Sequence, residues 1–306
     1  MILSINPTYY CNFRCDFCYL TEQQLSDRKK LSLDRLSDML AEVTSTCEVD
    51  MVDIYGGEVS LLGKDYWEDL ISILQVYGID DINLVTNLSA INEITTDPRV
   101  FTSVSYDFSA REDHERVYRN MALLDKPFSI LMLASPKFLE LDTAEMIESL
   151  NLLPNLQSVE IKPYSTNQSN THTVYYTDFE KKVKSFLTYE NKRFNLVNKE
   201  LLDSVVTRER NSFSDDHIYI TPNGKYAVLE FDLNDNEFFL EYDTLDEYFD
   251  WCRREKERVN RNKYCSNCEY FGHCLSEHLR EVKTLDNSCN GFKHLIDWYS
   301  NARLES

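Results

Sequence analysis

Seven of the nine cysteines in this 306-residue chain fall into two groups whose spacing suits metal ligation. Cys11, Cys15 and Cys18, separated by three and two residues, place three thiolates on one short loop. Three thiolates can hold three irons of a 4Fe-4S cube and leave the fourth open to another ligand. A single zinc ion is the rival, but it needs a fourth Cys or His nearby, and the first histidine is His114. Cys265, Cys268 and Cys274 are separated by two and five residues, and Cys289 follows after fourteen more. Four thiolates close a site, and either a cluster or tetrahedral zinc fits them.

Two such loops need a scaffold to position them. Apolar runs bounded by turn residues predict strands over Met1–Ile5, Met51–Tyr55, Ile82–Thr86, Phe101–Asp107, Phe128–Ala134 and Val159–Pro163. Helical spacing predicts helices over Tyr66–Val76, His114–Leu124 and Thr143–Leu152, and one opened by Ser32 with Leu33, Leu36, Leu40, Val43 and Cys47 on its core face. Strand and helix alternating in this way predict an α/β fold, a parallel sheet curled into a barrel or partial barrel. Chemistry in such folds sits at the C-terminal strand ends. Cys11 to Cys18, Gly56 to Glu58, Asn87 and Ser135 all fall there.

The pattern changes after about residue 200. Pro222-Asn223-Gly224 between two apolar runs predicts a hairpin, and Thr244 to Glu247 is a capping box opening a helix that carries Leu245, Tyr248, Phe249 and Cys252 on one face. The expected division is a barrel over 1–200 and a small C-terminal hairpin-plus-helix domain over 201–306.

Composition narrows the class. With 42% hydrophobic residues, 12% aromatics and only seven Gly and seven Pro, the chain can bury a sizeable core. No apolar run suggests a membrane span or secretory signal, so a cytoplasmic location is expected, where clustered cysteines bind metal more often than they pair. A net charge of -20 disfavours nucleic acid and anionic membranes as partners.

The Cx3Cx2C loop after a first strand resembles that of the radical S-adenosylmethionine (SAM) superfamily, down to the aromatic Phe17 before the third cysteine. The resemblance implies a partial (βα)6 TIM-like barrel in which Cys11, Cys15 and Cys18 hold a 4Fe-4S cluster whose open iron is chelated by SAM. Tyr55-Gly56-Gly57-Glu58 resembles the family's GGE motif, which contacts the SAM amino group. Thr86-Asn87, with Leu88 where a glycine is usual, resembles the family's TN, while Ser105 and Asp107 resemble its S-x-D. Ser135 sits where a ribose contact is expected, and Phe17 and Tyr19 flank the third cysteine as further cofactor contacts.

Cys265, Cys268, Cys274 and Cys289 resemble half of the SPASM extension of peptide-modifying members. His278 stands where a cysteine of the other SPASM cluster would be, and the hairpin carries none. The resemblance therefore implies two 4Fe-4S clusters, one binding SAM and one auxiliary. It also implies hydrogen abstraction from a precursor peptide, giving a cross-linked, epimerised or excised residue. A separate leader-binding protein and an electron donor such as flavodoxin or ferredoxin are the expected partners. A radical SAM dehydrogenase acting on a small molecule and a zinc-stabilised binding protein are the alternatives. No catalytic base is readable.

Overall fold

Along most strands, alternate residues face opposite sides of the sheet, as the two-residue period of β structure requires. In the computed structural model, which describes residues 1–164, 172, 174–229, 239–275 and 292–305, the apolar set faces outward under the helices and a largely polar set faces inward. The strands are β1 (Ile2–Ile5), β2 (Met51–Ile54), β3 (Ile82–Thr86), β4 (Phe101–Ser105), β5 (Phe128–Leu133), β6 (Leu156–Lys162), β7 (Asn195–Leu196), β8 (His217–Ile220), β9 (Tyr226–Leu229) and β10 (Phe239–Tyr242). They form one sheet in the order β10-β9-β8-β1-β2-β3-β4-β5-β6-β7. From β8 to β7 all neighbours are parallel, while β9 and β10 add antiparallel.

The connecting helices are α1 (Glu22–Ser26), α2 (Leu33–Thr46), α3 (Lys64–Val76), α4 (His114–Leu123), α5 (Pro136–Glu140), α6 (Thr143–Leu150), α7 (Tyr176–Thr188), α8 (Val197–Val206), α9 (Leu245–Asn260) and α10 (Lys293–Glu305). Leu3, Ile5, Val52, Ile54 and Leu84 pack against Leu36 and Leu40 of α2 and Trp67, Leu70 and Leu74 of α3 in one core. Val104, Ile130, Val159 and Ile161 form a second with α4, α6 and α7. Each fully buried aliphatic contributes about 1.5–3 kcal/mol, so these outer layers hold the sheet while its inner face is left for other work.

The expected strands and helices all form, with β4 ending at Ser105 and β6 beginning at Leu156. Ser32 caps α2 as expected, its hydroxyl accepting the Arg35 N–H. Cys47 corrects its reading. It lies beyond α2 as an extended C-cap and is half-buried, because helix geometry ends at Thr46. The hairpin turns at Gly224, whose φ of +71° suits the Asn-Gly turn. Its first strand, β8, pairs with β1, matching Ile2 to His217 and Ile5 to Ile220, so the sheet is continuous across residue 200.

Candidate active site

The three N-terminal cysteines lie between β1 and α1, where the Cys18 N–H closes a turn onto the Cys15 carbonyl. All three are partly buried on the wall of a cavity of about 760 Å³ inside the barrel. Burial pushes the Cys11 thiol up to about 11 and also raises Cys15 and Cys18; at Cys15 the Arg111 guanidinium opposes the shift. A bound cation reverses this balance and holds the thiols as thiolates. Among the described residues no three Cys, His, Asp or Glu side chains converge on a single ion position. Three thiols spread along one wall instead suit a cluster, which takes each at a different iron.

Gly56 and Gly57 have a local reason. A Cβ on Gly57 would lie 2.2 Å from the Tyr10 carbonyl oxygen, and one on Gly56 would lie 2.5 Å from that of Thr8. The Gly57 N–H donates to the Thr8 carbonyl at 2.9 Å, and the Glu58 N–H donates to that of Tyr10 at 2.8 Å. The diglycine thus lets the end of β2 clasp the start of the cysteine loop, and both glycines also line the cavity.

Glu58 does not line it. Fully buried, its carboxylate accepts from Thr86 Oγ1 (2.6 Å), Ser60 N (2.9 Å) and Asn87 N (2.6 Å), bracing the ends of β2 and β3. Asn87 passes this order to the cysteine loop, donating from Nδ2 to Asn12 Oδ1 at 3.0 Å and approaching Cys11 Sγ at 3.8 Å. Leu88 adopts φ +49°, the left-handed conformation that favours glycine, which accounts for the glycine expected there.

Phe17, Tyr19, Asn87 and Ser105 line the cavity. Asp107 does not, since its carboxylate pairs with Arg111 at 2.6 Å and accepts the Leu133 N–H. Ser135 is also turned away, capping α5 by accepting the Phe138 N–H. Arg111 was not singled out by sequence reasoning. It is buried, lies over the Phe17 ring and points Nη1 at Cys15 Sγ, 3.7 Å away. Its position four residues after Asp107, one helical turn, was the available signal.

At the C-terminal site, Cys265, Cys268 and Cys274 follow α9 on a compact turn, where the Asn262 side chain accepts the Tyr264 and Cys265 N–H groups. Cys265 and Cys274 both pack on Val259. Arg210, on the cavity wall, donates to the Cys274 carbonyl at 3.0 Å. Cys289 and His278 lie outside the described residues. Cys252 is buried on α9, as its helical spacing predicts.

Residues 5–101 match the family model of the radical SAM superfamily. These residues carry a radical SAM domain. Two GTP 3',8-cyclases, from Staphylococcus carnosus (strain TM300) and Staphylococcus haemolyticus (strain JCSC1435), are each 34% identical over 90 residues, 28% of this chain. The chain matches only 26% of the length of these curated relatives. The AdoMet-bound structure of anSMEcpe superposes with a TM-score of 0.73 at 15% identity, covering 99% of this chain and 98% of that one. Streptococcus suis SuiB bound to its precursor peptide SuiA gives 0.67 at 17%, covering 93% and 73%. At such identities the likeness establishes the fold, a radical SAM barrel that here remains an open sheet. No helix among the described residues is long and apolar enough to cross a membrane.

Proposed function

We propose that this radical SAM enzyme abstracts a hydrogen atom from a residue of a precursor peptide. The observation that carries the proposal is one cavity whose wall holds Cys11, Cys15 and Cys18 and, through Arg210, is linked to the second cysteine turn. When bound, SAM and its cluster supply a 5'-deoxyadenosyl radical that takes hydrogen from a substrate C–H bond.

The chain's own residues bind, position and exclude water. Cys11, Cys15 and Cys18 are the cluster ligands, with Arg111 facing Cys15. Gly56, Gly57, Asn87, Ser105, Phe17 and Tyr19 offer the surface for SAM. Glu58 and Asp107 act through Asn87 and Arg111, and Ser135 through its cap on α5. Tyr9 and Tyr19 pack on Phe239, each with ring centroids 6.2 Å from it, and of the three Tyr19 lines the cavity. Cys265, Cys268, Cys274 and Cys289 are assigned to an auxiliary 4Fe-4S cluster that passes electrons. A leader-binding protein and a flavodoxin- or ferredoxin-like donor complete the system.

Two solved relatives were captured with peptides, SuiB with SuiA and anSMEcpe with Cp18Cys, which supports a peptide substrate. The cyclase match favours a small-molecule substrate as the second reading. The deciding experiment is anaerobic reconstitution followed by iron counting and assay of 5'-deoxyadenosine. About eight irons per chain with SAM cleavage are expected. About four irons would remove the auxiliary cluster, and zinc without SAM cleavage would overturn the enzyme reading.

A further inference from the structure

The inner face of a (βα) barrel is ordinarily filled with branched apolar side chains. Here, on four neighbouring strands, it carries a hydrogen-bonded polar chain along the cavity wall. Asn83 Nδ2 donates to Asp53 Oδ1 at 2.7 Å, Ser103 Oγ donates to Asn83 Oδ1 at 2.8 Å, and Ser103 and Ser129 share a hydrogen bond of 2.7 Å. All four residues line the cavity.

The donor directions follow from chemistry. An ionised carboxylate only accepts, so Asn83 turns its amide NH2 toward Asp53 and its oxygen toward Ser103. Ser103 has one hydrogen and gives it to Asn83; the Ser129 hydrogen must then go to Ser103. Every dipole in the chain points its positive end toward Asp53. The second oxygen of Asp53 accepts no hydrogen bond among the described residues, and no cation stands within ion-pair distance of the carboxylate there.

The nearby charges are otherwise engaged. Lys162, whose charge acts on Asp53 from beyond ion-pair distance and lowers its pKa, pairs with Glu160 at 3.2 Å, Arg111 pairs with Asp107, and Arg210 donates to a backbone carbonyl. Burial raises the Asp53 pKa, as for a carboxylate short of compensation. A second, independent observation lies on the same wall. Tyr164 is only 4% exposed and lines the same space, and its hydroxyl has no hydrogen-bond partner among the described residues. A buried hydroxyl of this kind is normally satisfied, so it offers a hydrogen bond to a molecule entering the cavity.

We propose that Asp53 is the specificity-determining residue of the cavity and receives a cationic side chain, the ammonium or guanidinium of a lysine or arginine in the substrate. The inference rests on the cavity being the substrate site, as in the function proposed above. The polar chain orients the carboxylate, and the incoming cation supplies the missing donor. A charge-assisted hydrogen bond of this kind contributes about 1.5–3 kcal/mol, or roughly tenfold to a hundredfold in affinity.

The test uses the reconstituted full-length enzyme with SAM and titrates N-acetyl amides of lysine, arginine, norleucine and glutamate calorimetrically. The lysine and arginine probes should bind at least roughly tenfold more tightly than norleucine. Asp53→Asn should reduce that ratio to within about twofold, whereas Ser129→Ala, which leaves the carboxylate in place, should retain most of it. Equal or tighter binding of norleucine or glutamate, absence of binding by the cationic probes, or an unchanged ratio in Asp53→Asn would each overturn the proposal. Assaying 5'-deoxyadenosine on the same preparation separates the two readings. SAM cleavage without cation preference sinks this inference alone, whereas cation preference without SAM cleavage sinks the radical reading and leaves the binding site.

Discussion

Glu58 accepts the Asn87 N–H at 2.6 Å across the ends of two neighbouring strands, and Asn87 in turn holds Asn12 inside the cysteine loop. The motif glutamate is thereby tied to the cysteine loop without lining the cavity itself. Glu58→Gln keeps the volume but replaces one acceptor oxygen with an NH2 facing a donor. Leaving a buried donor unmet costs about 1–3 kcal/mol. The melting temperature should fall by several degrees, and the reconstituted variant should hold less iron because Asn87 and the loop loosen together. Wild-type melting and iron content would show that Glu58 does not organise the loop.

Asp107 and Arg111 form an ion pair beside Cys15, and among the described residues neither makes a second ion pair. Removing one partner strands the other, a loss of about 3–5 kcal/mol. Asp107→Asn should therefore unfold at clearly lower urea than wild type. The double variant Asp107→Leu with Arg111→Met should recover part of the loss, because no lone charge remains. A double variant as unstable as the sum of the two singles would show that the pair is not coupled.

Much of this architecture was legible from the chain. The strands announced themselves as apolar runs bounded by turn residues, and the cysteine loop through its spacing. Two things were not. The pairing of β8 with β1 joins residues more than two hundred positions apart, and no local pattern records such a contact. The two-residue β7 is too short to show any period, so the α7-β7-α8 segment went unread. The site was half legible for a different reason. Sequence shows which residues a motif contains but not which way they turn, so the bonds from the Glu58 and Asp107 carboxylates to Asn87 and Arg111 could not be read from it. The polar residues Asp53, Asn83, Ser103 and Ser129 follow ordinary strand alternation, and only the register of four neighbouring strands brings them onto one cavity.

Leu88 carries opposing effects that magnitudes can separate. Its φ of +49° costs about 1–2 kcal/mol in a non-glycine residue. Its side chain, however, is fully buried in the core with Val104 and Ile130, and removing a buried leucine costs about 2–5 kcal/mol. Leu88→Gly should therefore be destabilising by a few kcal/mol at most, and less so than Leu88→Ala, which loses nearly the same packing without relieving the backbone. Thermal melts of the two variants check the order, and an alanine variant more stable than the glycine one would contradict the strained conformation.

Cys252 offers a test of which thiols are packing residues. It is 6% exposed on α9 beside Tyr248, and burial pushes its pKa up to about 11. The reactive species is the thiolate, so at pH 8 only about one molecule in a thousand presents it, and access is blocked as well. Native apo-protein treated with iodoacetamide at pH 8 should label half-buried Cys47 and leave Cys252 unmodified in a mass map. A raised folded-state value means that the stability tied to the neutral thiol is fully present below the ordinary thiol pKa of about 9 and is lost as pH climbs through 11. Labelling of Cys252 should accordingly begin between those two values. Cys252→Ala should leave the iron content of the reconstituted enzyme unchanged, whereas Cys15→Ala should lower it. Equal losses of iron in the two variants would make Cys252 a ligand.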